Sequence, residues 1–138
     1  MEEKPKQISA EGSTSSKFAK FFMRIPLQEK VLFARNLSVG IKSGMSLQDC
    51  LRLIEKQTKS GTFKKILERI IIDTANGMYL SASMDKYAEV FGQLFVNIVR
   101  VGEQSGTLTE NLTYLAVELK KKQQLRSKIR GALIYPAV

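Results

Sequence analysis

Apolar residues recur along this chain at helical spacing, and short breaks rich in Gly, Ser and Asn divide them into blocks. Val31, Ala34, Leu37, Ser38 and Ile41 stand at i, i+3, i+6, i+7 and i+10, one face of a 3.6-residue period. They predict a first helix from Gln28 to Ser43, started by Pro26 and ended by Gly44. Leu47, Cys50, Leu51 and Ile54 predict a second, with Ser46 as its cap and Asp49 at the capping-box position. After the break Ser60-Gly61-Thr62, residues Phe63, Ile66, Leu67, Ile70 and Ile71 predict a third helix that stops at Asn76-Gly77. The triplet Ile70-Ile71-Ile72 has strand propensity, but it lies inside helical periodicity and is too short to stand alone. A short fourth helix is expected from Ser81 to Tyr87. An almost wholly apolar one follows from Gln93 to Gln104, with Leu94, Phe95, Val96, Ile98, Val99 and Val101. The last begins at Leu108, where Leu108, Leu112, Leu115 and Leu119 are spaced four, three and four. Short breaks favour antiparallel neighbours. The expected fold is therefore all-α, an antiparallel bundle of about six helices built from helix hairpins.

The breaks resemble one another. Gly44-Met45-Ser46-Leu47 with Leu51, Gly77-Met78-Tyr79-Leu80 with Met84, and Gly106-Thr107-Leu108 with Leu112 are three similar turn-to-helix junctions. Their spacing is near that of helical-hairpin repeats, but the Trp, Leu-Gly and Tyr positions of a tetratricopeptide are absent, so the hairpins belong to one bundle. At the third junction, Gly106 suits the left-handed residue that closes a helix. Thr107 can cap the next helix, with Glu110 three positions on. Gly102 costs about 1 kcal/mol of helix propensity relative to Ala, so a close approach there would be a reason to keep it. Glu103 is a carboxylate near a helix C-terminus, where the dipole disfavours it. Either it caps or pairs within the chain, for instance with a donor on the first hairpin, or it makes a specific contact across a subunit interface or to a cation. Gly102, Glu103, Ser105, Gly106 and Leu108 are accordingly the candidate partner or interface residues.

The ends of the chain read differently. Residues up to about Ser16 are rich in Glu, Lys, Ser and Gly, and are expected to be disordered. Lys17 to Ile25 alternates basic residues with Phe18, Phe21 and Phe22. It reads equally as an amphipathic helix on an anionic membrane or as a segment that docks its Phe residues onto the domain. Beyond Leu119 the last helix turns basic, with Lys120, Lys121, Lys122, Arg126, Lys128 and Arg130 as a membrane-proximal cluster. The residues that follow, Gly131 to Val138, are uncharged and mostly apolar. Basic residues beside an apolar run mark the cytoplasmic end of a membrane span. The expected division is 1–26 as an N-terminal extension, 27–130 as the helical domain, and 131–138 as the start of a transmembrane helix cut short.

Charge and composition then narrow the function. The 138 residues carry 22 Lys and Arg against 13 Asp and Glu, a formal charge of +9. That excess points to nucleic acid, an anionic membrane surface or an acidic protein. There is no histidine, which removes the commonest general base and metal ligand together. The single cysteine, Cys50, excludes an internal disulfide and lies on an apolar helix face, where it reads as a small buried hydrophobe. No glycine-rich phosphate loop, Cys/His cluster, calcium loop or paired acid–base constellation is present in the sequence. No catalytic residue, cofactor or metal is expected, and the chain does not read as an enzyme. A basic helical nucleic-acid-binding domain is the alternative. However, the aromatics stand at positions 18–22 and on core faces rather than among the basic residues, so no nucleic acid is expected as partner.

Four groups of residues also carry a resemblance to the type II secretion F / type IV pilus inner-membrane assembly-platform family. Phe33-Ala34-Arg35-Asn36-Leu37 with Ser43-Gly44-Met45-Ser46-Leu47 and Leu51 resembles its opening hairpin. Gly77, Leu80, Ser81, Met84, Tyr87 and Phe91 resemble its short linking helix. The run from Phe91 through Gly102-Glu103-Gln104-Ser105-Gly106-Thr107-Leu108 to Leu112 is the most specific part, and Leu125 to Pro136 resembles the approach to the first membrane span. Ala88 stands where many members carry Pro, and Ser83 where Ala is usual. The resemblance implies a first cytoplasmic domain of a platform protein at the cytoplasmic face of the bacterial inner membrane. It implies binding to the assembly ATPase and to other secretion or pilus components, and force transmission from ATPase to pilin rather than catalysis. A homodimer or higher oligomer is expected.

Overall fold

In a computed structural model the backbone is described for residues 25–134 and the side chains for residues 25–129. Most of the N-terminal extension, the side chain of Arg130 and residues 135–138 lie outside the described residues. Seven helices run in order among those described: α1 (Leu27–Lys42), α2 (Leu47–Gln57), α3 (Gly61–Ala75), α4 (Leu80–Asp85), α5 (Ala88–Phe91), α6 (Gln93–Ser105) and α7 (Leu108–Ile134). The bundle is all-α, with no strand among the described residues. The isoleucine triplet is helical, with Ile70 in the core and Ile72 on the surface. The single turn α5 escaped the sequence pattern, because four residues are too few to show a period.

Cross-links show how the hairpins run. Gln48 donates to Thr74 across α2 and α3, and Lys64 pairs with Glu55 at 3.8 Å, so the two helices are antiparallel. The bundle closes where α1 lies along α7. Ser38 Oγ lies 3.1 Å from the Thr109 carbonyl and 2.6 Å from Thr113 Oγ1, and Gln123 donates to Gln28 at 2.5 Å. Residues late in α1 thus meet residues early in α7, again antiparallel.

Four phenylalanines make the centre. Phe33 of α1, Phe63 of α3, Phe91 of α5 and Phe95 of α6 are all buried, with ring centroids 5.5–6.1 Å apart. Such tilted and edge-on contacts add about 0.5–1.5 kcal/mol per pair beyond area burial. Phe33 and Phe91 each touch the other three rings. Phe33 lies off the single stripe read from α1, because that helix also faces the rings of α3, α5 and α6. The apolar α6 is less buried than its composition suggests. Phe95, Val96, Val99 and Gly102 face inward, whereas Leu94 and Val101, seven residues apart, share the outer face.

Cys50 is buried, and its burial pushes the thiol pKa up, as suits a packing residue rather than a nucleophile. Leu112 and Leu115 are buried and Leu108 and Leu119 half-buried, so the expected stripe of the last helix is the one that packs. Leu112→Ala should cost about 2–5 kcal/mol in urea denaturation, while Ile72→Ala, on a residue 59% exposed, should stay within about 0.5 kcal/mol.

Candidate functional site

The three junctions share one backbone device. Gly44, Gly77 and Gly106 have φ of +93°, +96° and +73°, the left-handed region that costs glycine nothing. Beyond each glycine the next amide turns back to a carbonyl five residues earlier. Met45 donates to Gly40 at 3.0 Å, Met78 to Asp73 at 3.0 Å and Thr107 to Gly102 at 2.9 Å. These bonds satisfy carbonyls that a helix end leaves without partners. The repeat legible in the sequence is therefore a repeated helix closure.

The accepting residue of each closure also meets the next helix. A Cβ on Gly40 would lie 2.4 Å from Cys50 Sγ. A Cβ on Gly102 would lie 2.9 Å from the Leu108 Cα and 3.1 Å from Asn111 Nδ2. The missing side chain lets Asn111 reach across and donate to the Ile98 carbonyl at 2.9 Å. This is the close approach that the propensity cost of Gly102 implied. In the middle junction the same position is Asp73, which accepts from Ser83 Oγ at 2.7 Å and from Lys86 Nζ at 3.0 Å. The Ser83 hydroxyl, then the Lys86 ammonium, hold the Asp73 carboxyl below its ordinary 3.8.

The helix starts differ. Ser46 Oγ accepts from the Asp49 amide at 3.1 Å, and Ser60 Oγ from the Phe63 amide at 3.2 Å. The equivalent of Ser46 before α4 is Tyr79, which supplies no cap. Glu103 fills that role from a distance. Its Oε2 accepts from the Leu80 amide at 2.7 Å and its Oε1 from the Ser81 amide at 2.9 Å. A carboxylate unfavourably placed at the end of α6 is thereby favourably placed at the start of α4. The offset for Glu103 lies within the chain, on the second junction and not on the first hairpin. Both its oxygens are occupied there, so neither a cation nor a subunit contact is needed to account for it. Glu29 acts in the same way, with Oε1 accepting from the amides of Lys59 and Ser60 at 3.2 and 3.1 Å. Sequence reasoning missed Glu29, because a Glu in a first helical turn is ordinary and its partners lie thirty residues on.

Of the candidate interface residues, Gly102 is buried, Glu103 and Leu108 are half-buried, and Ser105 and Gly106 are exposed beside Gln104. The basic residues Lys120, Lys121, Lys122, Arg126 and Lys128 are exposed. The two groups do not come together. From Leu108 to Lys120 is about 18 Å along α7 at roughly 1.5 Å per residue. Consecutive positions turn by about 100°, so Lys120, Lys121 and Lys122 surround the helix rather than form one face. Among the described residues, no three His, Cys, Asp or Glu side chains form a group that could hold a metal. No described helix is long and apolar enough to cross a membrane.

Residues 33–138 match the family model for type II secretion system (T2SS), protein F. The chain belongs to this family. It is 38% identical over 112 residues to a type IV pilus assembly protein PilC of Thermus thermophilus, covering 81% of this chain and 27% of that protein. It is 36% identical over 132 residues to a type II secretion system protein F of Vibrio cholerae, covering 96% of this chain and 32% of that one. A type 4 fimbrial assembly protein PilC of Pseudomonas putida is 35% identical over 104 residues, 75% of this chain and 26% of the relative. The chain thus spans between a quarter and a third of the length of these relatives. The match takes in all three junctions, and at the middle one of this family member Ser83 holds Asp73.

Two predictions follow from the junctions. Glu103→Ala removes the distant cap and should cost about 0.5–2 kcal/mol. Tyr79→Ser, which restores a local acceptor, should recover much of that loss in the Glu103→Ala background and add little in the wild type. A urea-denaturation double-mutant cycle reads both. For Asp73, the folded carboxyl titrates below the unfolded one, so its contribution is present above pH 3.8 and is lost as pH falls through the lowered folded value. The stability gap between wild type and Asp73→Asn should therefore be widest near neutral pH and close on acidification.

Proposed function

We propose that this chain is the first cytoplasmic domain of a platform protein in a type II secretion or type IV pilus machine, at the inner face of the bacterial inner membrane. The observation that carries the proposal is family membership across residues 33–138. The helical bundle ends in a long α7 that carries its basic residues into the apolar stretch 131–138. In this reading the cluster lies at the anionic lipid surface and the apolar stretch enters the bilayer. The domain acts by binding, as a scaffold that passes motion of the assembly ATPase to pilin subunits, and carries no catalysis of its own. A closed packing of short helices, tied together at their ends, is suited to transmitting force as one body.

The domain also self-associates in this reading, with the exposed tip Gln104–Gly106 at or near the contact. A two-fold arrangement is the commonest solution for such a surface. Glu103 supports the tip by tying it to α4 rather than by reaching a second copy.

Pull-down with an assembly ATPase of a type II secretion or type IV pilus machine tests the reading. Capture should survive replacement of Lys120, Lys121 and Lys122 by Gln. Loss of capture together with salt-dependent duplex DNA binding that needs those lysines would replace the platform reading with a nucleic-acid-binding one. Sedimentation should show mass rising with concentration; a monomer throughout would remove self-association.

A further inference from the structure

A groove of about 1220 Å³ runs between the start of α1, the α5–α6 corner and the outer half of α7. Its walls include Leu94, Tyr114 and Leu125, which are 72%, 55% and 58% exposed. Ile25 and Pro26 also line it, so the chain emerges from its edge. Ile25 is already seated, at 6% exposed and within the core cluster.

The sequence before Ile25 matches the groove. Phe18, Phe21, Phe22 and Ile25 stand at i, i+3, i+4 and i+7, the spacing of one helical face. Lys17, Lys20 and Arg24 fall on the other side of the same wheel. Ile25 lies just outside α1 and is turned into the domain, so a segment that carries the same stripe up to Ile25 brings the three Phe rings to the edge of the groove. We propose that residues 18–25 dock into this groove as an amphipathic segment and cover Leu94 and Leu125.

Two physical terms favour this occupant. The segment is tethered at Ile25, so docking is intramolecular, with an effective concentration in the millimolar range for a short link. Docking also removes apolar surface from water on both sides, because the groove wall exposes Leu94, Tyr114 and Leu125 and the segment carries three Phe residues. A membrane surface is the competing occupant for such a segment. It would require the stripe to face away from the domain in which its own last member is buried.

Amide exchange and methyl spectra of the full 138-residue chain, without lipid, decide the matter. Amides of residues 19–24 should be protected at least about tenfold over the unstructured rate, a factor worth about 1.4 kcal/mol. Replacing Phe18, Phe21 and Phe22 by Ser should abolish that protection and shift the methyl signals of Leu94, Ile98 and Leu125. From the groove side, Leu94→Gln with Leu125→Gln should also release the segment, and both residues are exposed enough to change without unfolding the bundle. Unprotected amides in the wild type would overturn the proposal, as would groove methyls that ignore the Phe replacements. Protection that appears only with vesicles of phosphatidylglycerol and phosphatidylcholine would assign the segment to the membrane. Protection that rises with protein concentration would assign the groove to a second copy.

Discussion

A bundle of many short helices has many helix ends, and each end strands backbone donors and acceptors that must find partners. This chain meets that constraint first, and much of its tertiary structure follows from how it does so. C-termini are closed locally, by left-handed glycines at Gly44, Gly77 and Gly106 that return an amide to a carbonyl five residues earlier. N-termini are closed partly by neighbours, Ser46 and Ser60, and partly by carboxylates brought from other helices. Glu103 reaches the start of α4, and Glu29 reaches the turn before α3. Each carboxylate satisfies two backbone amides and joins two elements far apart in sequence. Charge-assisted bonds of this kind are stronger than neutral ones, so the ends of the helices are also where the bundle is tied.

The junctions place the packing surfaces too. Gly40 and Gly102 lie one turn before their closing glycines, and both face the next helix at distances that leave no room for a Cβ. The same residue thus accepts the closing bond and admits the neighbouring helix. Asp73 solves the problem differently, keeping its side chain and spending it on Ser83 and Lys86. Three hairpins of common design then converge on the phenylalanine cluster, and α7 folds back along α1 to close the set.

The tip between α6 and α7 is held by internal bonds, and the basic end of α7 stands well away from it along one helix. α7 packs against the bundle through Leu112 and Leu115, whereas Lys120, Lys121, Lys122, Arg126 and Lys128 along it are exposed. Its rigidity comes from the antiparallel seam with α1, where Ser38, Thr109 and Thr113 share hydrogen bonds.

Most of the local architecture could be read from the sequence. The helical stripes, the break positions, the three matching junctions, the cap Ser46, and the cost of Gly102 are all written in residue types at short range, since periodicity and helix closure involve neighbours within about five positions. Family membership was legible for the same reason, because its motifs are these junctions. Other features depended on which helices meet. Phe33 and Phe91 came to the centre only because α1, α3, α5 and α6 converge there. Leu94 and Val101 turned outward only because α6 presents one face to the core. Above all, the role of Glu103 was not in its own neighbourhood: the sequence marked a carboxylate at an unfavourable end of a helix, and tertiary packing decided that its partners were the amides of Leu80 and Ser81. A local code names the groups that need partners, but long-range packing chooses the partners, because a hydrogen bond depends on distance in space and not along the chain.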